Sequence, residues 1–159
     1  MAEPSEIVTR AAEPADAETI ERLLPRLAAF DPLPPGRERA DLWRPDLDGL
    51  RAWASGEQPD TSVRVATLDE VVIGAGIVTY GPDPFTGERN AHLLAIVVDP
   101  SVDGRGVGQR LMSELDRAAR AHGAVSMSLN VFTGNERARA LYARLGFHEE
   151  MIRAVRPLT

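Results

Sequence analysis

The stretch that most constrains the fold runs from Leu93 to Leu111. An apolar run, Leu93-Leu94-Ala95-Ile96-Val97-Val98, meets the turn Asp99-Pro100, then three glycines on alternate positions (Gly104, Gly106, Gly108), then an amphipathic segment. A strand that feeds a glycine-rich turn and a helix N-terminus makes an anion site. The N–H groups of the first helical turn have no intrahelical partner, and the helix dipole favours negative charge there. Glycine lets the backbone come close to the anion. The chain is therefore expected to hold a phosphorylated ligand, against the plainer alternative of a glycine-rich connection with no ligand.

The glycine spacing excludes two familiar phosphate sites. A P-loop needs Lys-Ser/Thr after its last glycine, but Gln109-Arg110 stands there, and all 18 basic residues of the chain are arginine. A dinucleotide fingerprint needs its third glycine three residues after the second and a ribose-binding acid about twenty residues on. Here Gly108 follows Gly106 by two, and no acid lies between Asp116 and Glu136.

At 159 residues the chain is expected to form one domain spanning residues 1–159. No apolar run approaches the ~20 residues of a membrane span. The short acidic N-terminus does not read as a signal peptide, so a cytoplasmic protein with no membrane partner is expected. Cysteine is absent, which removes disulfides, thiolate metal sites and cysteine nucleophiles. His92, His122 and His148 lack zinc-ligand spacing, so no metal is expected. The net charge of −6 argues against nucleic acid and is compatible with a cationic substrate.

Pattern and punctuation give the order β-α-α-β-β-β-α-β-α-β. Ile7–Arg10 reads as a strand. Pro14 opens a helix with Ile20, Leu23, Leu24 and Leu27 on one face, and Pro25 kinks or breaks it. Asp31–Gly36 reads as a loop, and Arg39–Ser55 as a weaker helix interrupted by Pro45 and Gly49. Val63–Leu68 and Val71–Tyr80 read as strands joined by a tight Asp69-Glu70 turn. Ala91–Asp99 is a strand with both faces covered. Helices follow over Gly106–Ala121 and Asn135–Leu145, with a strand at Val125–Val131 between them and a last strand at Phe147–Val155. The class is α+β or mixed α/β with helices on the faces of the sheet.

Two separated stretches then match one family. Val97-Val98-Asp99-Pro100 and Asp103-Gly104-Arg105-Gly106-Val107-Gly108 resemble the pyrophosphate motif, Arg/Gln-x-x-Gly-x-Gly/Ala, of the GNAT N-acetyltransferases. Asn130-Val131-Phe132 and the run from Asn135 through Leu141-Tyr142 to Gly146-Phe147 resemble that family's second motif, Asn-x-x-Ala-x-x-Leu-Tyr-x-x-x-Gly-Phe. The opening Thr9-Arg10-Ala11-Ala12, followed by Asp16-Ala17, also resembles the family's first strand and helix. The resemblance implies a twisted, mostly antiparallel sheet of about six to seven strands with helices on both faces. It implies acetyl-CoA as cofactor and a small-molecule amine as acceptor, which attacks the thioester directly in a ternary complex. Relatives are often dimers, so a homodimer belongs to the expectation.

By the same resemblance the pyrophosphate meets the amides of Gly104, Arg105, Gly106, Val107, Gly108 and Gln109. The pantetheine arm pairs with the strand edge at Ile96, Val97 and Val98, in the manner of strand addition. Asn135 bonds the arm, and Tyr142 lies beside the sulfur. Asn135 and Tyr142 are seven apart, two helical turns, and so share a face; their plainer roles are a helix N-cap and a core aromatic. Asp103 departs from the motif's usual Arg or Gln, and Arg105 and Arg110 are expected to offset its charge.

Aminolysis of a thioester needs a deprotonated amine, donors for the oxyanion and a proton for the thiolate. An alkylamine with a pKa near 10.4 is only about 0.04% neutral at pH 7. The resemblance puts the oxyanion at the N–H of a bulged strand, family position Val98, and makes Tyr142 the acid. Many relatives carry a glutamate base where this chain has Leu94. His92 lies two residues earlier on the strand, and Ala91–Ile96 resembles the strand of arylalkylamine acetyltransferases, whose two histidines act through water. Here only the first is present, so His92 is the candidate base, with a hydrogen bond to a neighbouring loop as its plainer role. Glu88 is a weaker candidate, and His122 and His148 read as structural. Asp31–Gly36, Trp43, Trp53 and Pro82–Arg89 are expected near the acceptor, the tryptophans more readily as packing anchors. Acetylation of a protein N-terminus or lysine, and a non-catalytic acyl-CoA-binding module, stand as alternatives.

Overall fold

The computed structural model describes residues 5–158. The first four residues of the acidic N-terminus lie outside the described residues. Strand β1 (Ile7–Ala11) leads into helix α1 (Ala17–Leu23), and a 3-10 turn over Leu24–Ala28 continues it. Pro25 sits in the first turn of that 3-10 segment, where its missing N–H costs no α-helical bond, so the α-helix stops at Leu23. Helix α2 (Arg44–Ala54) likewise starts with Pro45 in its first turn, and Gly49 is carried inside it. The expected interruptions are thus a start and a tolerated interior glycine.

Strands β2 (Thr61–Leu68), β3 (Val71–Pro82) and β4 (Arg89–Val98) form an antiparallel meander. Asp69 and Glu70 both take positive φ, 49° and 66°, as a two-residue hairpin with the twist of its strands requires. Helix α3 (Val107–Ala121) crosses over to β5 (Ser126–Leu129), and α4 (Glu136–Arg144) follows. The sheet order is β1-β2-β3-β4-β5, antiparallel except for the parallel β4–β5 pair.

One face of the sheet buries Ile20, Leu23, Leu24 and Leu50 against Val65, Ala75, Ile77 and Ala95. The other buries Met112, Leu115 and Ala119 against Val78, Ala91 and Leu93. Gly76 makes the second layer close: a Cβ there would stand 2.5 Å from Leu115 Cδ1. Helices on both faces were expected and are present.

The strand count is lower than expected, five among the described residues. Phe147–Val155 forms no strand and pairs with neither edge strand of the sheet. Met151 and Ile152 are correspondingly 70% and 85% exposed. Apolar content suggested a strand but could not supply a partner. β5 is also shorter than Val125–Val131, for a reason that creates the candidate site.

Candidate active site

β4 carries a bulge. Ile77 pairs with Ala95 and Val78 with Leu93, which leaves Leu94 as the extra residue. A bulge bends its strand and sharpens the twist. β5 pairs with β4 only from Asn90 to Leu93, and the strands part from Leu94 onward. The β5-side edge of β4 at Ile96, Val97 and Val98 is therefore left without a strand, as the resemblance implied. The bulge itself lies at Leu94 and not at Val98, which pairs regularly with Gly74.

A cavity of about 80 Å³ occupies the fork. Leu93, Leu94 and Ala95 of β4 form one wall, and Leu129, Asn130 and Val131 form the other. Asn135, Ala138 and Tyr142 close it from α4, and Leu27, Leu42 and Asp46 from the α1–α2 side. Asn135 caps α4, its Oδ1 accepting from the Ala138 amide at 3.2 Å, so its cap role is real while its amide group borders the cavity. Tyr142 packs edge-on to Phe147 at 5.8 Å, and burial pushes its phenol above the usual value. The shared face inferred from their seven-residue spacing is thus one wall of the cavity.

The glycine loop is preorganised. The Asp99 carboxylate accepts from the Ser101 amide at 2.9 Å, and Val102 anchors the turn in the core. Gly104 and Gly106 adopt φ of +79° and +76°, which a side chain would strain. A Cβ at Gly104, Gly106 or Gly108 would meet nothing within 4 Å, so open space lies over this backbone. The amides of Val107, Gly108 and Gln109 form the unpaired first turn of α3. The Arg105 amide, expected to face the anion, bonds the Val102 carbonyl at 3.3 Å. Asp103 is held by Arg26, 3.3 Å away, and not by Arg105 or Arg110. Arg110 instead donates to the Ile7 carbonyl.

The loop after α1 meets the loop before α4. Phe30 stacks on Phe132 with centroids 5.9 Å apart, and a Cβ on Gly134 would stand 2.6 Å from the Pro32 carbonyl. Arg39 pins this loop through the carbonyls of Ala28 and Phe30 and the Asp31 carboxylate. Asp31–Gly36 thus packs against the loop before α4 but does not line the cavity; Trp43 and Trp53 pack on the core, and Pro82–Arg89 does not border the cavity. His92 does not border it either. Its Nδ1 lies 2.9 Å from Ser128 Oγ, which also accepts from Asn90 Nδ2, and burial lowers its pKa below the ordinary histidine value. His122 stacks on Tyr80, in keeping with a structural role.

Asp46 is the residue that sequence reading missed. Burial raises its carboxyl to about 6, with no hydrogen bond or nearby charge offsetting it. Nothing local in the sequence marks it, since an acid in the first turn of a helix is ordinary.

The family model described as the acetyltransferase (GNAT) family matches residues 24–147. Thialysine N-epsilon-acetyltransferase of Bos taurus is 28% identical over 148 residues, covering 88% of this chain and 83% of the bovine protein. N-alpha-acetyltransferase RimI of Mycobacterium tuberculosis is 33% identical over 141 residues, covering 87% of this chain and 77% of its own. Among solved structures, an aminoglycoside N-acetyltransferase AAC(6')-Iy in complex with CoA superposes with a TM-score of 0.74 at 22% identity, covering 99% of this chain and 98% of that one.

Proposed function

We propose, from the premise that this chain belongs to the GNAT acetyltransferase family, that it moves an acetyl group from acetyl-CoA to a primary amine of a small molecule within a ternary complex. The family and its relatives make the chain an acyltransferase. The observation that carries the finer reading is the fork: a free strand edge at Leu94–Val98, bare helix-start amides beyond it, and Asn135 and Tyr142 facing it across one cavity.

The residues present fit coenzyme A. The open backbone at Gly104, Gly106 and Gly108 leaves room for a pyrophosphate, and the amides of Val107, Gly108 and Gln109 suit its charge. With Asp103 drawn to Arg26, the acid does not stand alone against the phosphates. The edge at Ile96, Val97 and Val98 can pair with the amides of the pantetheine arm, and the Asn135 amide can bond it from the other side. When bound, the cofactor supplies an acetyl group activated as a thioester.

The chain's own part is positional and electrostatic. Tyr142, kept protonated by burial, stores a proton for the departing sulfur. The parted backbone around Leu94 offers donors at the cavity wall. His92 stands off the cavity and is tied to Ser128, which favours a structural role for it over that of the base. Tyr142→Phe is expected to lower kcat by about 100-fold, and His92→Ala by less than about threefold with a lowered Tm. A large kcat loss at unchanged Tm in the histidine variant would restore it as the base.

The test of the whole reading is a thermal melt with acetyl-CoA followed by an amine panel. Ligand at about 100 times Kd adds about 2.7 kcal/mol, or roughly 5–11 °C in Tm for a chain of this size. No shift at millimolar acetyl-CoA would sink it and favour a chain that has kept the fold without the cofactor. The similarity to the mycobacterial N-alpha-acetyltransferase keeps a protein amine as the second reading. Whole-cell acetylation in a deletion strain separates the two, since an unchanged proteome speaks for the small amine.

A further inference from the structure

We propose that Asp46 is the anionic anchor of the amine site, receiving the second, non-reacting ammonium group of a cationic acceptor whose other amine attacks as the free base within the fork between β4 and β5. The proposal rests on the acetyltransferase reading above and names the chemistry of its acceptor. Asp46 borders the cavity together with Leu27, Leu42, Leu94 and Tyr142. Helix α2 approaches the bulge closely: a Cβ on Gly49, one turn after Asp46, would touch Leu94 at 3.6 Å. Asp46 and Tyr142 are the ionisable side chains among the lining residues, so the carboxylate is the cavity's source of negative charge.

Among the described residues Asp46 has no hydrogen-bonding or ion-pair partner, and this carries the argument beside its place on the cavity wall. The arginines on the neighbouring elements are committed elsewhere. Arg26 pairs with Asp103, Arg39 with Asp31, Arg44 with Asp41 and Arg51 with Glu21. A carboxylate drawn partly out of water without a counter-ion is costly, and its raised pKa, about 6, records that cost. A ligand cation would relieve it with a charge-assisted hydrogen bond. The competing role is support of the α2 start through the helix dipole; that role acts on stability and not on amine affinity.

The test uses the full chain with acetyl-CoA, with thialysine and 1,4-diaminobutane as cationic acceptors and aniline as one neutral at assay pH. The same amines are titrated calorimetrically into the CoA-bound protein. Asp46→Asn keeps the shape and removes the charge. It is expected to raise KM for the cationic amines by about 10- to 100-fold, and to cut selectivity for thialysine over aniline by the same factor. The Tm shift caused by CoA stays as in the parent, and Asp46→Glu recovers part of the affinity. The anchor is overturned if KM for the cationic amines changes less than twofold, or if the CoA-bound parent binds neither of them. It is also overturned if affinity for all three amines falls together with Tm. Absence of any CoA-induced shift would be a failure of the acetyltransferase reading instead, and amine titration of the parent and Asp46→Asn proteins still decides the anchor.

Discussion

A carboxylate whose proton is held more tightly in the folded chain than in the unfolded one works against stability once it ionises. Asp46 is such a group, with a folded value of about 6 against an ordinary 3.8. Between these two values the folded state binds more protons, so this residue's contribution falls as pH rises through the interval and is at its least favourable above pH 6. Asp46→Asn removes that dependence. The variant should therefore gain on the parent between pH 4 and pH 7, by on the order of 1 kcal/mol after allowing for solvent screening of a partly exposed group. Differential scanning calorimetry at the two pH values measures it, and a Tm difference that ignores pH would refute it. Gain of stability with loss of amine affinity is the pattern of a residue kept for function. His92 runs the other way: burial holds it neutral, so its contribution is full above about pH 6.5 and is lost as pH falls through its lowered value.

At the scale of elements, the site is made by a bulge and a helix start. The extra residue at Leu94 turns β4 away from β5 and opens an edge that a regular strand would have closed. The first turn of α3 then leaves its amides bare beneath open space at Gly108. Gly108→Val places a branched side chain in that space, where its Cβ would meet nothing within 4 Å. The unliganded Tm should stay within about 2 °C of the parent, while the shift caused by acetyl-CoA falls by more than half. Equal shifts in the two proteins would show that the phosphates bind elsewhere.

For the whole molecule, the two sides of the fork are unequally built. The body from β1 to α3 contains the three buried clusters, whereas α4 contributes no buried residue and β5 holds on by a four-residue ladder. Thin packing of this kind opens locally at little cost. A ligand lying in the fork touches both sides and suppresses that opening. Hydrogen exchange should be fast at 126–147 in the free chain and slowed by CoA there, at 94–98 and at 104–109, with β1 and β2 unaffected. Protection spread evenly over the sheet would argue against a ligand held in the fork.

Much of this was legible from residues in order. Helix faces, the Asp69-Glu70 hairpin, the glycine loop and the Asn135–Tyr142 spacing are local patterns, each fixed by covalent geometry or a repeat of a few residues, and each stands where its pattern put it. The tertiary structure decided what depends on partners distant in sequence. It put the bulge at Leu94, left the last apolar segment unpaired, took Arg110 to the Ile7 carbonyl and gave Asp103 to Arg26. It also set Asp46 beside a cavity whose other walls come from β4, β5 and α4. A side chain's charge is written in the sequence, but the solvent and counter-ions around it are set by which elements meet, and they determine what that charge can do.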